Sequence, residues 1–260
     1  MFLINILFLF LILYFLFFLH KNLPNNIEKF EEHIYFLNNN ELLESLLNNK
    51  DKYYNKFYKN DYITRKIKDI KDYHEKIEKS VYNFNDIQKN KIREAISNLE
   101  NIIKIKVIDL NYFDNKKFIN IPWKIGCIYG KLYENGLPHT RDDIIIISSQ
   151  DINIFSPTKL QKTLLHEKIH LYQKKYPEDT TKYLEHHNFK KYKKREESDN
   201  IRANPDLDNW IYKNSDNKIL QASYNKNPKS IEDILYQPIN SQSSEHPFEK
   251  MSIEFENYIN

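Results

Sequence analysis

The stretch His166-Glu167-Lys168-Ile169-His170 places two imidazoles and a carboxylate within five residues. On an α-helix, residues i and i+4 share one face about one turn apart, so His166 and His170 can both aim a ring nitrogen at one metal ion. Glu167 then lies beside the first ligand, within reach of a water that the metal activates, in the position of a general base. Two histidines do not complete such a centre. A zinc hydrolase uses three protein ligands and leaves a fourth position for water. A nearby third ligand six residues after His170 is excluded because Tyr176 stands there, and Gln173 occupies the place where a glycine would turn the chain.

The elements that must position these groups are legible in the flanking sequence. Ser156 can cap a helix, Pro157 suits its first turn, and Leu160, Leu164 and Leu171 recur at helical intervals, with Leu165, Ile169 and Tyr172 widening the apolar stripe. The run stops before Pro177, which predicts a helix of about five turns with most of one side buried. Upstream, residues 102–110 and 142–149 read as strands. Between them Ile119, Ile121, Trp123, Ile125, Cys127 and Ile128 supply one or two more, broken by Pro122, Gly126, Gly130 and an Asn135-Gly136 turn. A second helix begins near Pro247, turns Phe248, Met251, Ile253 and Phe255 inward, and sets Glu249 among apolar neighbours. The third ligand is open at this point: Glu249, Glu245 one turn earlier, or His246, His186 and His187, although each of these histidines is more readily a packing or surface residue.

Four linked stretches, GLPHTRDDIIIIS, LLHEKIHLYQKKYP, RANPDLDNWIY and EHPFEKMSIEFE, resemble a metallopeptidase family of large DNA viruses. More broadly, residues 84–260 resemble HExxH zinc metallopeptidases of the gluzincin (zincin) type. The resemblance implies an α+β fold in which a small mixed sheet packs on the HExxH helix and a C-terminal helix carries the third ligand. It makes Glu249 that ligand, as in the E-x-x-A-x-x-F pattern, with Ser252 in the small-residue place and Glu254 a partner that orients the centre. It further implies Zn2+ as cofactor, a protein or peptide substrate, and Glu167 passing a proton from water to the leaving amine. Tyr212, Tyr224, Tyr236, His246 and Arg202 are the candidate donors to the oxyanion. His139 and Arg141 would lie at the cleft rim. Arg202, Asn204, Asp206 and Asp208, beside Trp210 and Tyr212, can orient a ligand histidine or shape a pocket, or simply form an Asn-Pro-Asp turn. The competing reading is a catalytically inactive zincin-like interaction protein.

Residues 2–19 carry no charge and only Asn5 as a strongly polar group, a length that can cross a bilayer. With no basic segment before it and no small-x-small cleavage site after it, the stretch reads as an uncleaved single-pass anchor in a viral or host membrane. Lys21 on its C-terminal flank favours a catalytic domain on the cytoplasmic side. The single cysteine, Cys127, and the lack of any N-x-Ser/Thr sequon agree with that side, and Cys127 itself reads as a small buried strand residue. The expected organisation is therefore a transmembrane anchor over 1–21, a helical stalk or packing region over 22–83, and a zincin-like domain over 84–260. A net charge of +3 on 260 residues is near balance, so no nucleic-acid partner is expected. The basic run Lys190 to Arg195 reads as a solvated face.

Overall fold

The computed structural model describes residues 33–106, 110–195, 200–236 and 245–258. Residues Met1–Tyr35 separate from a compact unit, Phe36–Asn260, and β1 (Ile34–Phe36) lies across that boundary. The anchor expected over residues 2–19 lies outside the described residues. Among the described residues no helix is long and apolar enough to cross a membrane. The two longest, of 20 and 19 residues, carry several charged side chains each. The fold class is corrected accordingly: the described residues are α+β with a mixed sheet and include no transmembrane helix, so the transmembrane helix and the single-pass membrane localisation expected from sequence are withdrawn.

In the second unit, α1 (Asn39–Asn48) opens on a capping box in which Asn38 and Glu41 satisfy each other's backbone donors. It is followed by α2 (Lys59–Arg65), α3 (Ile70–Ser80) and the short strand β2 (Val81–Tyr82). Then come α4 (Asp86–Ile105), again boxed by Asn85 and Gln88, and α5 (Asn115–Ile119). Of the strand expected over residues 102–110, residues 102–105 are instead the end of α4, and residues 107–109 lie outside the described residues. Ile92, Ala95, Ile96, Leu99 and Ile103 keep a helical period through the β-branched run and bury one stripe, so the period outweighs the propensity.

The main sheet contains β3 (Trp123–Ile128), β4 (His139–Arg141) and β5 (Ile144–Ser148). β5 runs parallel to β3, with Ile125 opposite Ile145, and antiparallel to β4, with Arg141 opposite Ile144, which leaves β4 at the edge. The single strand expected over residues 142–149 is thus shortened, and a tight turn at Asp142-Asp143, with Asp142 at φ 52°, creates the hairpin. Ile144 and Ile146 join Leu42, Leu46, Tyr53, Phe57, Tyr73 and Ile77 in one core cluster. Strand alternation turns Ile145 and Ile147 to the other face, where α7 packs. Gly126 permits the close approach of α1: a Cβ there would stand 2.5 Å from Leu42 Cδ1.

After β5 come α6 (Ser149–Ile154), α7 (Pro157–Lys175) and α8 (Pro177–His186). Ser156 accepts from Lys159 N at 3.2 Å and Pro157 opens α7, as the sequence predicts. Behind them lie a three-stranded antiparallel sheet of β6 (Lys190–Lys194), β7 (Trp210–Lys213) and β8 (Ile219–Leu220), and a pair formed by β9 (Ala222–Tyr224) and β10 (Ile234–Tyr236). The chain closes with α9 (Pro247–Tyr258), which packs along α7. The lysines of β6 are largely exposed, but Arg195 is buried, its Nη2 2.7 Å from Asp61 Oδ2.

A buried polar cluster ties the helices before the sheet to the loop at residues 200–206. Arg65 donates to both oxygens of Glu134, at 2.9 and 2.8 Å, and to Asp61 Oδ1 at 3.3 Å. Tyr73 OH and Tyr53 OH complete the Glu134 carboxylate at 2.6 and 3.1 Å. Burial opposes charge on Glu134, yet the Arg65 guanidinium and these donors hold its carboxyl down to about 2. Asp61 also accepts from the backbone N–H of Ala203 at 2.8 Å, and Ala203 O accepts from Arg65 Nη2 at 3.0 Å. The loop that runs past the candidate centre is therefore pinned on both sides of Ala203.

Candidate metal centre

The α7 helix puts His166 and His170 on one face with ring centroids 4.9 Å apart, and α9 lays Glu249 against them. Glu249 Oε2 is 3.1 Å from His166 Nε2 and 3.5 Å from His170 Nε2, and one donor atom from each of the three residues falls within 4.8 Å of the others. Metal bonds of 2.0–2.1 Å in tetrahedral array place donors about 3.3 Å apart. The set therefore fits a zinc-sized ion after small side-chain adjustments, and its two imidazoles and one carboxylate are ligands zinc accepts.

Each ligand is held by a second contact that leaves the metal-facing atom free. His166 Nδ1–H donates to Glu256 Oε1 at 2.7 Å, which fixes the tautomer and directs Nε2 inward. His170 Nδ1–H donates to Gln173 Oε1 at 2.9 Å, and the Gln173 amide is itself oriented by donating to Phe248 O at 2.9 Å. The outer oxygen of Glu249, Oε1, accepts from Asn204 Nδ2 at 2.7 Å. Ser252 is fully buried between α7 and α9, with Oγ 3.4 Å from His170 Nε2. The electrostatics call for positive charge at the middle of this group. Burial disfavours a charged His166, but Glu249 and Glu256 raise its pKa well above 6.5. Burial likewise opposes ionised Glu249, and the two histidines hold it well below 4.5.

Glu167 is buried and lines the same cleft, a cavity of about 290 Å³ that also borders His166, Glu249, Glu256, His139, Arg202 and Asp206. Its Oε2 has no hydrogen-bond partner among the described residues. Burial, with the Asp206 charge next in importance, pushes its carboxyl up to about 8. An orphaned carboxyl oxygen on the wall of a cleft that also borders His166 and Glu249 is the geometry a general base requires.

The structure gathers some of the residues singled out from sequence and disperses others. His139 is buried at the cleft; its Nδ1–H donates to Leu137 O at 2.8 Å and its Nε2 accepts from Tyr133 OH at 3.2 Å. Burial lowers its pKa, in keeping with that neutral ring. Asp206 is bound to the backbone N–H of Thr140 at 2.8 Å and to the Thr140 hydroxyl. Arg202 lines the cleft, whereas Tyr212 and Tyr224 are committed elsewhere, to Asp208 and Asp61 at 2.6 and 2.9 Å. His246 caps α9: its Nδ1 accepts from Phe248 N at 3.2 Å, and its Nε2–H donates to Trp210 O at 3.2 Å. Glu245 accepts from His246 N at 3.2 Å and is no part of the metal-facing group. His186 and His187 belong to an aromatic cluster around Tyr112.

Glu254 is the clearest displacement. It accepts from Tyr112 OH at 2.9 Å and lies 3.5 Å from His187 Nε2, on a different face of α9 from the centre. The orienting role expected of it is taken by Glu256. Helix phase gives the reason: seven residues return to the face of Glu249, while five do not. Gln173, three residues after His170, follows the same rule. Cys127 is buried in β3, its thiol pushed up to about 12 by burial. Comparison with protein-family models, with curated proteins and with solved structures finds no match for this chain.

Proposed function

We propose that the chain is a zinc-dependent hydrolase of peptide bonds, in which His166, His170 and Glu249 hold the metal and Glu167 is the general base. The observation that carries this reading is the convergence of the three ligands from two helices beside a buried carboxylate with an unpartnered oxygen. A purely structural site has no use for that carboxylate. Zinc, when bound, supplies a Lewis acid that polarises a carbonyl and makes water a nucleophile near neutral pH. The protein's part is positioning and proton movement. Glu167 accepts the proton of the attacking water and delivers it to the departing amine. Glu256 and Gln173 keep both imidazoles in the tautomer that leaves Nε2 free, and Asn204 stops Glu249 from rotating away. The choice of a peptide substrate rests on the resemblance of the motifs and on the cleft beside the edge strand β4, where Leu137, Pro138 and His139 form part of the wall.

The test is the metal content of the full chain after zinc repletion, for the natural sequence, His166→Ala, Glu249→Ala and Glu167→Gln, followed by hydrolysis of an unfolded protein substrate. About one zinc per chain is expected in the natural sequence and Glu167→Gln, with loss in the two ligand variants. Hydrolysis is expected to fall at least about 100-fold in Glu167→Gln. Zinc without turnover in the natural sequence would leave an inactive interaction protein, and no zinc at all would refute the reading.

A further inference from the structure

The cleft beside His166, His170 and Glu249 is lined by two arginines with different surroundings. Arg65 is consumed by its own fold, donating to Glu134, Asp61 and the Ala203 carbonyl. Arg202 is not. Among the described residues no carboxylate pairs with it, and its Nε is shielded from solvent with no hydrogen-bond partner. Its backbone is nevertheless fixed. Ile201 bridges Ser223, the Arg202 N–H donates to Ala222 O at 3.4 Å, and Ala203 is held by Asp61 at 2.8 Å. A guanidinium on a pinned loop with an unmet donor, on the wall of an open cavity, is a pre-built receptor for an oxyanion. Lys159, in the first turn of α7, adds a further cation to the same cleft.

We propose that Arg202 is a specificity-determining residue that binds a carboxylate of the bound peptide, so that the cleft takes peptides with an acidic side chain close to the scissile bond. That the bound peptide is also cleaved rests on the hydrolase reading; the binding preference does not. A carboxylate is favoured over a phosphate because Glu167, Asp206, Glu249 and Glu256 share the cleft, and a dianion meets their repulsion twice over. A planar fork suits a carboxylate bidentately, and the unmet Nε–H gains an acceptor when one arrives.

The experiment is calorimetric binding to the zinc-repleted Glu167→Gln full chain, in which turnover is blocked. The probes are two blocked heptapeptides of six alanines with a central Glu or a central Gln, and a third with phosphoserine. The Glu peptide is expected to bind at least about tenfold more tightly than the Gln peptide. That preference is expected to vanish in Arg202→Gln and to persist in part in Arg202→Lys, which keeps the charge but not the fork. Each variant's fold is checked by its circular dichroism spectrum and melting point. Equal binding of the Glu and Gln peptides, no binding of the Glu peptide, a preference that survives Arg202→Gln, or tighter binding of phosphoserine would overturn the proposal. If the natural chain hydrolyses nothing while the Glu preference and its dependence on Arg202 hold, the hydrolase reading fails and the binding site stands.

Discussion

Replacing Glu256 by alanine tests the centre where sequence and structure part company. Glu249 and Glu256 are seven residues apart on α9, about 20° from the same angular position, and they grip one imidazole at its two nitrogens. Glu256 contributes the 2.7 Å bond to His166 Nδ1, and its side chain is only 25% exposed, so this charge-assisted bond is poorly screened. Loss of an orienting carboxylate of this kind weakens metal binding by about 10–100-fold, or roughly 1.4–2.7 kcal/mol. The shortness and burial of the bond place Glu256→Ala in the upper half of that range. Glu254→Ala is the matched control: Glu254 lies about 140° around the helix from Glu249 and bonds to Tyr112 instead. The assay is competition for zinc against a fluorescent chelator of known affinity at pH 7.5, with helicity confirmed by circular dichroism. An unchanged affinity in Glu256→Ala, or an equal loss in Glu254→Ala, would refute the assignment.

Asn204→Ala removes the donor that holds Glu249 Oε1 at 2.7 Å, and zinc affinity is expected to drop about tenfold in the same competition while the unfolding midpoint in urea stays close to that of the natural sequence. Glu134→Gln is expected to cost about 3–5 kcal/mol near pH 7, because it leaves Arg65 buried with less compensating charge. The folded-state carboxyl sits at about 2 against an ordinary 4.5, so the part of that stability tied to ionisation, about 3 kcal/mol, is fully present above pH 4.5 and is lost as pH falls toward 2. Urea unfolding of both proteins at pH 7, 5 and 3 should therefore show the gap narrowing by about 2 kcal/mol at the lowest pH; a constant gap would contradict the buried ion pair.

What the sequence made legible was local. The α7 helix, its Ser156 cap and its Pro157 start depend on contacts within a few residues, and the spacing of His166 and His170 is a property of the helix itself. Met251 and Phe255 of α9 are buried as their spacing predicts, whereas Ile253, expected to face inward, is exposed. Where two local signals conflicted, the sequence misled. The β-branched residues at 102–105 favour a strand on propensity, but they continue the buried stripe of α4, and burial against α7 decides. The Asp142-Asp143 turn was hidden because neither residue is the glycine or asparagine that usually marks such a hairpin. The expectation for Glu254 passed over Glu256, which helix phase alone places on the face of Glu249.

The parts of the centre that were not legible depend on segments far apart in the chain. Asn204 reaches Glu249 across 45 residues, and it is in place because Ala203, its neighbour, is fixed by Asp61 at a separation of 142. Asp61 is in turn held by Arg65 and Arg195, and Arg65 by Glu134 on the loop before β4. These are buried charges, each costly alone and stable only with its partners. The helices before the sheet thus fix the loop that orients a ligand carboxylate and presents Arg202 to the cleft. Packing residues such as Leu42 and Tyr73 secure those helices without touching the centre. No spacing rule along one helix or strand encodes that arrangement, since every step crosses between elements. The spacing of His166, Glu167 and His170 on α7 can be read from five letters, whereas the placement of the loop beside them is written in the tertiary contacts of Asp61, Arg65 and Glu134.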